Sequence, residues 1–224
     1  MRELLTASFY AALAAADPLK TLPPHLPAPP KGRTLVVGAG KAAAAMALAV
    51  ENHWPQDAPL DGLVVTRYGH GLPTRRISVV EAGHPLPDSN GEEAARQILA
   101  AARKLNENDL LLCLISGGAS SLLTLPTAGL TTADIRTLTH SLLRCGADIH
   151  EINTVRKHLS AILGGRLAAA TSARVLALII SDVAGDDPSF IGSGPCAPDP
   201  TSYADALLVL TKYQIPVPPA VSQH

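Results

Sequence analysis

Five short apolar runs divide the chain: Thr34-Leu35-Val36-Val37, Gly62-Leu63-Val64-Val65-Thr66, Ile77-Ser78-Val79-Val80-Glu81-Ala82, Leu110 to Ile115 and Val175 to Ile180. Each is too short for a helix and most are almost continuously apolar, as strands buried on both faces are. Between the runs, apolar residues recur every three to four positions, which predicts helices. One runs from Ala42 to about Val50, and another from the capping segment Asp88-Ser89-Asn90-Gly91 to about Leu105. Three more are predicted: from Thr132-Ala133-Asp134 to Cys145-Gly146, over Asn153 to Ala170 with a weakness at Gly164-Gly165, and from Asp205 to Tyr213.

Strands that alternate with helices give a parallel sheet, and right-handed crossovers place helices on both of its faces. The expected fold is therefore α/β: a Rossmann-like, doubly wound, mostly parallel sheet. Leu4, Leu5, Phe9 and Leu13 lie at helical spacing, and Glu3, Thr6 and Ser8 interrupt the opening too early for a secretory signal, so a packed amphipathic helix is expected. Leu22-Pro23-Pro24-His25-Leu26-Pro27-Ala28-Pro29-Pro30 predicts an extended connector. Residues 1–214 read as one domain, and residues 215–224, rich in proline, as a truncated linker to a second domain.

Composition narrows the function classes. Hydrophobic residues make up 47% of the 224-residue chain and charged residues 17%, enough apolar surface for a sizeable core. A net charge of −1 and 3% aromatic residues argue against a nucleic-acid surface. No uninterrupted apolar segment approaches the roughly 20 residues that span a membrane. Cys113, Cys145 and Cys196 form no CxxC pair and suggest no disulfide framework, so a cytoplasmic setting is expected.

Ligands of such sheets collect beyond the carboxyl ends of the strands, and three of those ends carry unusual residues. Gly38-Ala39-Gly40-Lys41-Ala42-Ala43 joins a strand to a helix; its glycines admit an anion to the backbone, and the helix start offers amides to it. Lys41 opposes the helix dipole there unless an anion lies nearby. A dinucleotide site would want an acid after the second strand, where this chain has Thr66-Arg67. Ser116-Gly117-Gly118-Ala119-Ser120-Ser121 offers a phosphate cradle. Ser181-Asp182 through Asp186-Asp187-Pro188 places three carboxylates close together, which suits Mg²⁺. Arg156 and Lys157 could face phosphates or lie on a solvated helix face, and His84 could stand at the sheet edge or serve a structural turn.

These segments together resemble the glycerate 2-kinase family, long also labelled hydroxypyruvate reductase. The resemblance rests on Val37-Gly38-Ala39-Gly40-Lys41-Ala42-Ala43, Val65-Thr66-Arg67-Tyr68-Gly69-His70-Gly71 and Gly83-His84-Pro85-Leu86-Pro87-Asp88-Ser89-Asn90-Gly91. It continues through Leu114-Ile115-Ser116-Gly117-Gly118, Asn153-Thr154-Val155-Arg156-Lys157-His158-Leu159-Ser160, and Ile180-Ser181-Asp182 to Ser193-Gly194-Pro195. It implies phosphorylation of D-glycerate to 2-phosphoglycerate by ATP with Mg²⁺, this chain being the amino-terminal half of the site. Lys41 and Asp182 would be catalytic, and Asp186 and Asp187 would hold the metal. Gly38, Gly40, Ser116, Gly117, Gly118, Ser120, Ser121, Arg156 and Lys157 would bind the nucleotide. The partner it implies is a carboxy-terminal domain, in cis or in trans, that closes the cleft and supplies an arginine; a homodimer is also compatible.

The family pattern has glycine where Ala119 stands and lysine where Leu163 stands. Alanine is costly if its position needs a positive φ, and loss of the lysine removes a phosphate contact. The alternatives are an NAD(P)H-dependent hydroxypyruvate reductase, favoured by the glycine motif and Arg67, and a catalytically incomplete, non-enzymatic fragment.

Overall fold

The computed structural model describes residues 1–222, so Gln223 and His224 of the expected linker lie outside the described residues. Its strands are β1 (Thr34–Ala39), β2 (Leu60–Arg67), β3 (Ile77–Ala82), β4 (Leu110–Ser116) and β5 (Arg174–Ile180). All neighbouring pairs are parallel, in the order β3-β2-β1-β4-β5. Strand side chains alternate between faces, and the central strands are buried on both. Leu35, Val37, Leu111, Cys113 and Ile115 enter one core, whereas Val36, Leu112 and Leu114 enter the other.

Helix α3 (Ala43–His53) covers the second of these cores with Met46, Ala47 and Val50. Helix α4 (Ser89–Ala102) covers the first with Ala94, Ala95, Ile98 and Leu99. Asp88 caps α4 by accepting from the Gly91 amide. The expected doubly wound fold is therefore the observed one, and two central strands run one or two residues past their predicted ends.

Four helices separate β4 from β5: α5 (Ala119–Leu122), α6 (Thr132–Arg144), α7 (Ile149–His158) and α8 (Arg166–Ala169). Capping boxes start α6 at Thr131/Asp134 and α7 at Asp148/Glu151. Of these, α6 and α7, together with α9 (Tyr203–Lys212) and α10 (Pro219–Ser222), bury a third cluster that includes Leu138, Leu142, Ile152, Val155, Leu210 and Val221.

Four expectations need correction. The first helix forms as α1 (Arg2–Ala16), followed by α2 (Pro18–Thr21), but α1 buries none of its residues and Phe9 is 60% exposed. Leu4, Leu5 and Leu13 of its apolar stripe are exposed as well. The proline-rich connector begins with one 3₁₀ turn, Pro23–His25, before extending. The helix expected over Asn153 to Ala170 stops at His158, because the Ser160 hydroxyl captures the Ile162 and Leu163 amides while Gly164 and Gly165 adopt positive φ. The segment expected from residue 215 to be a linker is packed instead, with Ile215 and Val221 buried in the third cluster.

Candidate active site

The strand order reverses between β1 and β4, and the crevice outside their carboxyl ends is the switch point where such sheets bind ligands. The β1 turn can reach the β4 turn because glycine permits close approach. A Cβ on Gly38 would lie 2.0 Å from the Leu114 carbonyl oxygen, and one on Gly40 would lie 2.1 Å from Ser116 Oγ. Lys41 follows, its amide donating to the Gly117 carbonyl at 2.9 Å. Its Nζ stands 3.4 Å from Asp182 Oδ2, beyond the end of β5, with side chains 45% and 55% exposed. One lysine thus joins the ends of three strands, β4 through its amide and β5 through its ammonium.

Four amides of the turn that leads into α3, those of residues 40–43, are already used. Gly40 N donates to Val65 O, Ala42 N to Ser116 Oγ at 3.0 Å, and Ala43 N to Gly40 O. Gly38 and Gly40 therefore bring strands together and present no open nest, which also removes the motif's support for a dinucleotide. Beside them the buried Thr66 hydroxyl donates to the Lys41 carbonyl, while Arg67 is exposed.

The serine-rich turn differs from a hydroxyl cradle. Ser116 Oγ serves the Ala42 amide, Ser120 Oγ lies 2.8 Å from Ser193 Oγ, and Ser121 Oγ donates to the Gly118 carbonyl. All three expected hydroxyls are turned inward, because a tight turn after a buried strand must satisfy its own polar groups. What the turn offers instead is main chain. Gly118 adopts φ +90°, and the amides of Gly118, Ala119 and Ser120 find no acceptor among the described residues.

Arg156 and Lys157 do not face this crevice as expected. The Arg156 guanidinium donates to the Ser120 carbonyl from beneath the turn, and burial lowers its pKa to about 10, so it stays charged at neutral pH. Lys157 is 0% exposed and its Nζ lies 2.6 Å from Asp199 Oδ1. Burial pushes the Asp199 carboxyl upward, but the hydrogen bonds from Lys157 and Thr201 outweigh it and hold the group below the usual range. Both cations act as supports: one holds the turn and the other the loop carrying residues 186–200.

The three carboxylates after β5 do not gather. Gly185 and Asp186 adopt φ +87° and +52°, which turns the chain, and Asp187 Oδ1 accepts from the Ser189 amide at 2.8 Å. The Ser189 amide and then its hydroxyl lower the Asp187 pKa. Among the described residues, no group of three His, Cys, Asp or Glu side chains is placed to hold a metal. A three-carboxylate Mg²⁺ cage does not fit this arrangement. A Mg²⁺ held mainly by ligand phosphates and water, with a single carboxylate, does fit the open loop at Asp186.

Sequence reasoning left His84 undecided and missed its surroundings. A Cβ on Gly118 would lie 2.8 Å from His84 Nε2 and 3.5 Å from Lys41 Cγ, so the imidazole and the lysine stem flank the same glycine. Behind it, Tyr68 donates to Asp88 at 2.7 Å and Asn90 donates to Tyr68. Glu81 accepts from the Gly71 amide at 2.7 Å, which ties the loop after β2 to β3. The segments that carry these residues were legible as motifs, but their pairing depends on the sheet order.

Neither departure from the family pattern strains the backbone or opens onto the surface. Ala119 opens α5 and is absent from the residues at positive φ, a burden that Gly118 carries. Leu163 is 2% exposed and belongs to the core.

Residues 4–224 match the family profile described as Domain of unknown function (DUF4147). A protein of Agrobacterium vitis, provisionally named a hydroxypyruvate reductase, is 54% identical over 218 residues, covering 97% of this chain and 50% of that protein. The glycerate 2-kinase of Pyrococcus horikoshii is 45% identical over 196 residues, covering 87% of this chain and 44% of the kinase. The crystal structure of glycerate kinase from Thermotoga maritima superposes with a TM-score of 0.87 at 43% identity, covering 96% of this chain and 52% of that one. The chain thus spans about half the length of these relatives. No helix among the described residues is long and apolar enough to cross a membrane.

Proposed function

Since the chain belongs to the DUF4147 family, we propose that it forms the amino-terminal half of a glycerate 2-kinase site, transferring the terminal phosphoryl group of ATP to the 2-hydroxyl of D-glycerate. The observation that carries this reading is the Lys41 ammonium at the switch point, 3.4 Å from Asp182 and bonded through its own amide to the Gly117 turn. Phosphoryl transfer asks mostly for positioning and for neutralisation of charge on the moving group. Lys41 supplies the charge, Asp182 orients it, and the amides of Gly118, Ala119 and Ser120 are the candidate phosphate donors. When bound with the nucleotide, Mg²⁺ would neutralise phosphate charge, with Asp186 the available carboxylate. The half of the relatives that this chain lacks would close the crevice.

The name carried by the Agrobacterium vitis relative speaks for a reductase. The saturated amides of residues 40–43 speak against it, because a dinucleotide pyrophosphate needs them free.

The test is turnover of D-glycerate and Mg-ATP to 2-phosphoglycerate by the full-length protein, beside the 224-residue chain alone. Lys41→Ala should abolish turnover and leave the melting temperature within a few degrees, since exposed ion pairs contribute only about 0–1 kcal/mol. Turnover that survives the substitution would remove Lys41 from the mechanism.

A further inference from the structure

His84 stands in the same crevice without a structural task. It is half-buried, and its ring makes no hydrogen bond among the described residues. The loop that carries it is fixed from behind: Asp88 accepts from the Tyr68 hydroxyl and from the Gly91 and Gly83 amides. A firmly held imidazole with unused nitrogens, beside a lysine, a carboxylate and a glycine turn, is arranged to meet a ligand.

The charges around it define what it can do. Burial first, then the positive charges of Lys41 and Arg67, keep the ring below its ordinary pKa, with Asp182 opposing them. Neutral imidazole carries one nitrogen lone pair able to take a proton. The carboxylate that acts on the ring, Asp182, already faces the Lys41 ammonium at 3.4 Å. Two cations and an open glycine turn favour an anionic ligand at this spot, and a hydroxyl on that ligand would meet the ring.

We propose that His84 accepts the proton of the acceptor hydroxyl during phosphoryl transfer, an inference that rests on the glycerate kinase reading. The hydroxyl O–H bond breaks as its oxygen bonds to the terminal phosphorus of the nucleoside triphosphate, and the proton passes to the imidazole. The bond between that phosphorus and the bridging oxygen breaks, and its electron pair leaves with the nucleoside diphosphate.

The experiment uses the full-length protein with D-glycerate and Mg-ATP. His84→Ala should lower kcat by about 10²-fold or more, the lower end of what a positioned general base contributes. Added imidazole should restore at least tenfold of that loss, while the KM for nucleotide stays within threefold. His84→Gln, which retains bulk and hydrogen bonding, should show the same loss without rescue and keeps the test open should the alanine variant misfold. Independently, the ¹⁵N resonances of the His84 ring should shift when D-glycerate is added without nucleotide. A kcat within threefold of wild type in either folded variant, or ring resonances unmoved by saturating glycerate, overturns the proposal. Wild-type protein that turns over no glycerate overturns the kinase reading as well, an outcome distinct from normal turnover by the variants.

Discussion

Two glycines of the crevice should respond in opposite ways to the same added methyl group. Gly38 and Gly117 both sit so close to a neighbour that a Cβ would stand 2.0 Å from an oxygen, where ordinary contact begins at 3.4 Å. Neither is among the residues at positive φ, so no backbone strain enters the comparison. At Gly38 the obstructing atom is the Leu114 carbonyl, part of the central β1–β4 pairing. Relief would require the two middle strands to part by roughly 1.4 Å, and overpacking of a rigid core costs up to about 3 kcal/mol. For a chain of this size Gly38→Ala should then lower the melting temperature by about 6–12 °C. At Gly117 the obstructing atom is Asp182 Oδ2, the tip of a side chain that is 55% exposed and can swing into water. Its ion pair with Lys41 is worth at most about 1 kcal/mol, so Gly117→Ala should melt within about 4 °C of wild type. It should nevertheless lose about 10²-fold in kcat/KM, because Lys41 loses the group that, on the proposed reading, orients it. Circular dichroism melts and a coupled 2-phosphoglycerate assay on the full-length protein suffice. Equal destabilisation by the two substitutions, or Gly117→Ala activity within twofold of wild type, would show that the two glycines are not held by different kinds of neighbour.

Lys157→Met should destabilise by about 3–5 kcal/mol, since it strands the Asp199 charge in the interior, and Lys157→Met/Asp199→Asn should recover part of the loss in urea unfolding. Arg156→Met should cost about 1.5–3 kcal/mol and raise hydrogen exchange at residues 118–122, because the Ser120 carbonyl loses its charged donor. Hydrogen bonds from Lys212 first and then Tyr213 lower the Glu151 pKa from 4.5 to about 2. The stability this supplies is fully present above pH 4.5 and is lost as pH falls toward 2. The gap in urea midpoint between wild type and Glu151→Gln should therefore narrow across that window, and a gap unchanged at pH 2 would contradict the assignment.

The sheet was legible because its strands announce themselves locally. Leu110 to Ile115 is apolar at every position, and only a strand covered on both faces can bury such a run. Lys41 was legible for a similar reason: a cation in the first turn of a helix is locally unfavourable, so it had to answer to something distant. Polar residues whose partners lie far along the chain were not. The Ser116, Ser120 and Ser121 hydroxyls look available in sequence, and only the approach of Ala42 and Ser193 uses up two of them. Lys157 and Asp199 lie 42 positions apart, and nothing local distinguishes this buried pair from two solvated charges. His84 lay between these cases, placed at a strand end by its motif but given neighbours only by the sheet order.

The bonds from Lys41 N to the Gly117 carbonyl and from Ala42 N to Ser116 Oγ weld the turns after β1 and β4 into a single body. A guest that tugs on one turn therefore drags the other, and the ammonium travels with both. Selection acting on this corner of the molecule meets the same constraint: Gly40, Ser116 and Gly117 must change in concert or stay as they are, because each is the other's mould.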